Sequence, residues 1–154
     1  MAAKMQLFIP FFLSILILLG IADAGWREDC NFGGNGQFHI IHEKPYLSTM
    51  CPDHNERQIC TMLDLSHCIM NSHGHLIPTI NGHFERSCEN CHLTGDNGTI
   101  LACACRMFGK PPAALQYTEI ETDNLVENRD GLLGCFDSPP EVCPGFDLSA
   151  PPEY

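Results

Sequence analysis

One short phrase occurs twice in this chain. "CIMNSHGHL" runs from Cys68 to Leu76, and "LVENRDGLL" runs from Leu125 to Leu133. Both read apolar, apolar, any residue, Asn, two more, Gly, one more, Leu. Asn71 and Asn128, Gly74 and Gly131, and Leu76 and Leu133 are all separated by the same interval. Duplication constrains the fold more than any single motif does, because a repeated structural unit keeps its elements in the same order and takes its insertions in loops. The likeness extends upstream. "LSTMC" (Leu47 to Cys51) matches "LACAC" (Leu101 to Cys105), and Asn31–Phe32 matches His83–Phe84. The spacing between copies widens only across "CPDHNERQIC" and "CRMFGKPPAALQ", which have loop composition.

The local chemistry within each copy favours strands. "GQFHII" and "YLSTMC" flank "HEKP", while "SCENCHL" and "TILACACRM" flank "GDNG". Each set reads as a hairpin, with Asp96, Asn97 and Gly98 suited to positive φ at the second turn. Asn-x-x-Gly fits a turn in which Gly74 and Gly131 take a conformation costly for residues with a Cβ. The flanking Ile69, Leu76, Val126 and Leu133 are apolar enough to bury. Short strands and turn signals, without a long helical period, predict a mostly β chain.

The N-terminal segment 1–24 has a different composition. Lys4 precedes the apolar run Leu7 to Ile21, and Ala22 to Ala24 supply small residues before Gly25. This is the pattern of a cleaved secretory signal, so the expected location is extracellular and no membrane insertion is expected of the mature chain. All 10 cysteines lie beyond it, an even number suited to disulfides in an oxidising compartment. The net charge of −11 and the absence of a Lys/Arg cluster argue against nucleic acid or anionic lipid as partner.

The ordered sequence of hairpin, Leu-x-x-x-Cys, loop and Asn-x-x-Gly-x-Leu, present twice, resembles the cyanovirin-N homologue family of carbohydrate-binding proteins. "LDLSHCIMNSHGHL", "FERSCENCHLTGDNGTILACAC" and "IETDNLVENRDGLL" carry the resemblance, which covers Asn31 to Leu133. It implies one elongated, pseudo-symmetric β domain over residues 25–134, with interleaved repeats at about 31–79 and 80–134. The tail 135–154 would be an extended proline-rich segment tied back through Cys135 or Cys143. The family's hairpin disulfide maps onto Cys88 and Cys105. The corresponding position in the first copy falls near Gly36, so Cys51 needs another partner.

The resemblance also implies a sugar site at each end, built from both repeats. The first gathers Asn31, Gly34, Asn35, Pro52, Asp53 and His54 with Asn128, Arg129 and Asp130. The second gathers Asn71, Ser72 and His73 with Gly82, His83, Arg86, Ser87, Arg106 and Met107. The second is expected to be weaker or pH-sensitive, since His73 and Met70 stand where the first has Asp130 and Glu127. Planar Asn and Asp groups suit adjacent sugar hydroxyls, but Asn71 and Asn128 could equally serve only to shape their turns.

The implied function is non-catalytic binding of mannose-type glycans, free or on glycoproteins, without a cofactor. Interleaved repeats also allow a domain-swapped homodimer. The rival reading is a disulfide-stapled protein-binding module that keeps the fold without sugar affinity. "CENCH" with "CAC" has zinc-ligand residue types, but in an oxidising compartment a disulfide framework is the stronger reading, and no metal site is expected. Eight histidines are scattered without a catalytic companion motif, so no enzyme is predicted. Asn97-Gly98-Thr99 is the single N-glycosylation sequon.

Overall fold

The computed structural model describes residues 25–30, 36–96, 98–109 and 114–145. The leader, the Asn31–Asn35 segment with three of the expected site residues, and the sequon Asn97 lie outside them. A single helical turn, α1 (Trp26–Asp29), precedes strands β1 (Gln37–Ile41), β2 (Lys44–Pro52) and β3 (Gln58–Asp64). A small hairpin follows, β4 (Ile69–Ser72) and β5 (His75–Pro78). The second copy repeats this order with β6 (Cys88–Thr94), β7 (Ile100–Arg106), β8 (Leu115–Glu121), and the hairpin β9 (Glu127–Arg129) and β10 (Leu132–Gly134). A short strand, β11 (Glu141–Val142), ends the described chain.

Both expected hairpins form. β1 pairs antiparallel with β2 from Gln37–Ser48 to Ile41–Lys44, and His42 and Glu43 at the turn both have positive φ, as tight hairpin turns require. β6 pairs with β7 from Cys88–Cys105 to Thr94–Ile100, with a bulge between Glu89 and His92. Each pair gains a third strand, β3 or β8, whose opening residues lie in the stretches that look like loop. Gln58 alternates with the buried Ile59 and Thr61, while Gln116 shares the inner face of its strand with Thr118; both period-two patterns are too short to outweigh the neighbouring turn residues.

The copies are interleaved. The amide of Leu133 on β10 donates to Thr61 Oγ1 on β3 at 2.8 Å, so the second copy's small hairpin rests on the first copy's sheet. Reciprocally, Leu76 on β5 donates to Thr118 Oγ1 on β8 at 3.1 Å. Between them runs one apolar core containing Trp26, Leu47, Leu63, Ile69, Phe84, Leu101, Val126 and Leu133. Phe84 and Val126 are wholly buried.

All ten cysteines are paired, as Cys30–Cys51, Cys60–Cys143, Cys68–Cys135, Cys88–Cys105 and Cys91–Cys103. The thiols of the zinc-like cluster are thus consumed in two bridges between β6 and β7. Cys51 finds its partner at Cys30, which corrects the register of the repeat. "GWREDC" matches "HFERSC": Trp26 and Phe84 stand at the same spacing before a bridged cysteine, and each is buried. Trp26, rather than Phe32, is therefore the counterpart of Phe84. The first copy begins earlier than the Phe-based match suggests, because the signal is aromatic-x-x-x-Cys and not the aromatic alone.

The tail is fastened at both expected cysteines. Cys135 and Cys143 reach Cys68 and Cys60, and β11 adds to the edge of β3 through Val142–Thr61 and Glu141–Met62. Pro140 and Pro144 flank this strand and keep it short.

Candidate functional site

Each end of the fold is organised by an asparagine. Asn128 Nδ2 donates to the Pro52 carbonyl at 3.0 Å, and its Oδ1 accepts the Gly131 amide at 2.8 Å. Asn71 does the same in the first copy: Nδ2 donates to the Arg106 carbonyl and to Ser87 Oγ, both at 2.9 Å, and Oδ1 accepts from Gly74 at 2.7 Å. In both copies the acceptor carbonyl follows the bridged cysteine, Cys51 or Cys105, of the other repeat. These carboxamides shape the turn and clip it across the repeat boundary, with their hydrogen-bonding capacity directed inward.

Gly131 and Gly74 have φ of 87° and 93°. A Cβ at Gly131 would lie 2.6 Å from Ile59 Cγ1, and one at Gly74 would lie 2.9 Å from Met107 Cγ. Glycine is needed both for the left-handed backbone and for the close approach of the opposite strand.

At the first end, the turn places Asp130 over the loop between β2 and β3. Its Oδ1 accepts the His54 amide at 2.6 Å, and the His54 ring Nδ1 lies 2.8 and 3.1 Å from the two carboxylate oxygens. His54 and Asp130 side chains are 72% and 59% exposed, so the pair is open to a ligand. The His54 amide, followed by its ring, holds the Asp130 carboxyl below the usual carboxylate range. Asn55 Nδ2 lies 2.9 Å from His54 Nε2.

Asp53 works beneath this surface. Its Oδ1 accepts the amides of Asn55 and Arg57 at 2.9 Å each, and its Oδ2 meets Arg57 Nε and a terminal guanidinium nitrogen at 3.1 Å. Burial pushes its carboxyl up, but the two amides and the guanidinium outweigh that and hold it low. Asp53 is an ionised brace for the loop that presents His54. Arg129 is drawn away, with Nε donating to Glu127 at 2.6 Å and a terminal nitrogen donating to the Phe136 carbonyl at 2.6 Å. Of the expected first-site residues that are described, the structure brings Asp53, His54, Asn128 and Asp130 together and directs Arg129 along its own hairpin. Asn55 and Arg57 were missed. Their signal was the Asp53-x-Asn-x-Arg spacing, which suits a side chain closing its own loop.

At the second end, Asn71, Ser87, Arg106 and Met107 converge through the contacts above, and the Arg106 amide also donates to Ser87 O at 2.9 Å. Ser72 pairs with His75 across the turn, and His73 is exposed at φ 53°. Its ring stands edge-on to Phe108, with centroids 6.1 Å apart. Gly82 packs against the Ile69–Met70 backbone too closely to admit a Cβ. His83 and Arg86 are both directed to Glu85, at 3.2 and 3.7 Å. They line a groove of about 770 Å³ between the β1–β2 turn and the start of β6, with Phe38, Ile40 and Phe84. Sequence missed Gln116, His75 and Phe108 at this end. Gln116 lies on β8 against the turn and His75 begins β5 directly after it, with Gln116 Nε2 3.1 Å from His75 Nε2.

Comparison with known proteins places this geometry. A family model described as the CVNH domain matches residues 36–134. No curated protein matches the chain. Among solved structures, a MoCVNH3 variant in complex with (N-GlcNAc)4 aligns with a TM-score of 0.56 and 16% identity over 69% of this chain and 97% of its own. Microvirin in complex with mannobiose aligns at 0.51 and 25% identity over 64% and 91%. The CVNH protein of N. crassa aligns at 0.56 and 16% identity over 66% and 92%. The duplicated sheets, the reciprocal Asn turns and the family match over more than half of the chain lead to one conclusion: the chain belongs to the CVNH family, the cyanovirin-N homologues.

Proposed function

We propose that the protein is a secreted, non-catalytic lectin whose first end binds mannose-type oligosaccharides. The observation that carries this reading is the exposed Asp130–His54 pair. It is presented by one repeat's turn over the other repeat's loop and braced from below by Asp53 and Arg57. A carboxylate held ionised and accessible can accept from two neighbouring hydroxyls, and His54 and Asn55 supply further polar groups around it. The mannobiose complex of microvirin supports a mannose preference, and the sugar complexes of two structural neighbours support carbohydrate binding generally. Secretion is supported by the leader composition and by five disulfides.

Titration calorimetry of the oxidised protein with a mannose trisaccharide tests this reading, with a glycan array giving the wider preference. Saturable binding that shifts the Asp130 and His54 resonances supports it. Binding to no mannose-rich structure on the array would transfer the case to the protein-binding module.

A further inference from the structure

We propose that the second end is a site for N-acetylated amino sugars, chemically distinct from the first; the proposal rests on the reading of the chain as a lectin. The two turns share a scaffold but differ in what they expose. His73 occupies in the first copy the position that Asp130 holds in the second, so an imidazole replaces the exposed carboxylate. Among the described residues, no carboxylate hydrogen-bonds to or ion-pairs with His73, His75, Arg106 or Gln116.

What this end offers instead is a ring and hydrogen-bond donors. Phe108 is 56% exposed and stands edge-on to His73 with an interplanar angle of 88°. The side chains of Met107 and Gln116 close over Gly74, where an added Cβ would lie 2.9 and 3.1 Å from them. This forms a half-apolar floor beside the rings. The Gln116 carboxamide rests on the His75 ring, and Arg106 is exposed at the end of β7.

An ionised carboxylate such as Asp130 can only accept and so engages the O–H of a sugar hydroxyl, whereas the Gln116 carboxamide and the Arg106 guanidinium at this end donate and call for an acceptor. An acetamido group is the better complement here. Its carbonyl accepts from an amide or guanidinium, its methyl packs on an exposed ring, and the C–H face of the pyranose suits the negative face of an aromatic. Side-chain donors and an exposed aromatic ring lie together at this end, whereas the described residues of the first end present the Asp130 carboxylate.

The test uses the full oxidised protein and the β1,4-linked disaccharide of N-acetylglucosamine, followed by amide chemical shifts and titration calorimetry. The expected result is shifts at Gly74, Phe108 and Gln116, with affinity at least tenfold weaker for Phe108→Ala and for the de-acetylated disaccharide. Mannose trisaccharide binding should be unchanged by Phe108→Ala. Shifts confined to the first end, or full affinity in folded Phe108→Ala, would overturn the proposal. If the mannose sugar binds and the acetylated one does not, this inference falls and the lectin reading stands. If the acetylated sugar binds at Phe108 and no mannose sugar binds anywhere, the mannose preference falls and this inference stands.

Discussion

The Oγ1 of Thr61 accepts the backbone amide of Leu133 at 2.8 Å, across 72 residues of sequence. The same hydroxyl donates to the Glu141 carbonyl at 3.1 Å, so one wholly buried side chain holds the second repeat's hairpin and the tail to the same strand. Thr118 holds Leu76 in the mirrored position.

Thr61→Val keeps the shape and removes both bonds, leaving a buried amide without its acceptor. Leaving such a group unsatisfied typically costs about 1–3 kcal/mol, and Thr61→Val should fall in that range by denaturant unfolding. Thr118→Val should cost less, because no tail carbonyl is released. Equal losses would show that the Glu141 contact contributes nothing.

Asn71→Ala deletes three hydrogen bonds at a nearly buried site and should destabilise the protein by about 2–3 kcal/mol. Asn128→Ala, with two bonds and more solvent, should cost less. Far-ultraviolet melts of both variants check the order. A neutral Asn71→Ala would mean that the turn forms without its clip.

At the first end, Asp130→Ala should weaken mannose oligosaccharide binding roughly tenfold to hundredfold, as loss of a charged acceptor commonly does. His73→Ala should leave that affinity unchanged. Calorimetry on both, with thermal unfolding as the folding control, would remove Asp130 from the site if its variant binds like wild type.

Asp64 supplies a pH prediction. Burial pushes its carboxyl up, but Ser66 and the Lys44 ammonium at 2.9 Å outweigh this and leave it below the usual range. A depressed carboxyl contributes stability that is complete above its unfolded value, about 4, and is lost as pH falls through its folded value. Wild-type stability should therefore drop below about pH 4. Asp64→Asn, already weakened at neutral pH, should show a shallower acid limb. Parallel acid limbs would assign that loss to other carboxylates.

Cys60–Cys143 and Cys68–Cys135 join the same two segments, with equal spacing between the bridges on each side. With one bridge kept, the other closes a loop of only about 16 residues, worth roughly 3 kcal/mol in the chain-entropy model. Replacing Cys60 and Cys143 with alanine should cost that much and no more. Replacing all four cysteines should cost more than twice as much, because the remaining loop is then long. An additive result would indicate that the tail orders itself without either bridge.

Much of this architecture is legible in the sequence, because a duplication fixes the order of hairpins and the spacing of Asn, Gly and Leu independently of composition. The Cys88–Cys105 bridge follows from the family resemblance and the facing strands. What was not legible has specific causes. The Trp26–Cys30 unit was hidden by the nearer Phe32, and the small hairpins' hold on Thr61 and Thr118 depends on single hydroxyls within apolar strands. These two threonines are nonetheless separated by the same interval as the paired turn residues. Arg129 and Asp53 carry site-like chemistry in sequence, yet Glu127 and Arg57 engage them locally. Which charged groups stay available is decided by side-chain packing that residue spacing does not encode.

Because each turn is clipped to the strand of the other copy, neither copy completes its own fold. The single chain has the connectivity of two identical protomers that have traded hairpins and become joined end to end at the Thr79–His83 linker. The scaffold residues Asn, Gly, Leu and Thr recur in both halves, whereas the turn residue before Gly is aspartate in one copy and histidine in the other. One scaffold of this kind can present two different turn chemistries without any change of fold.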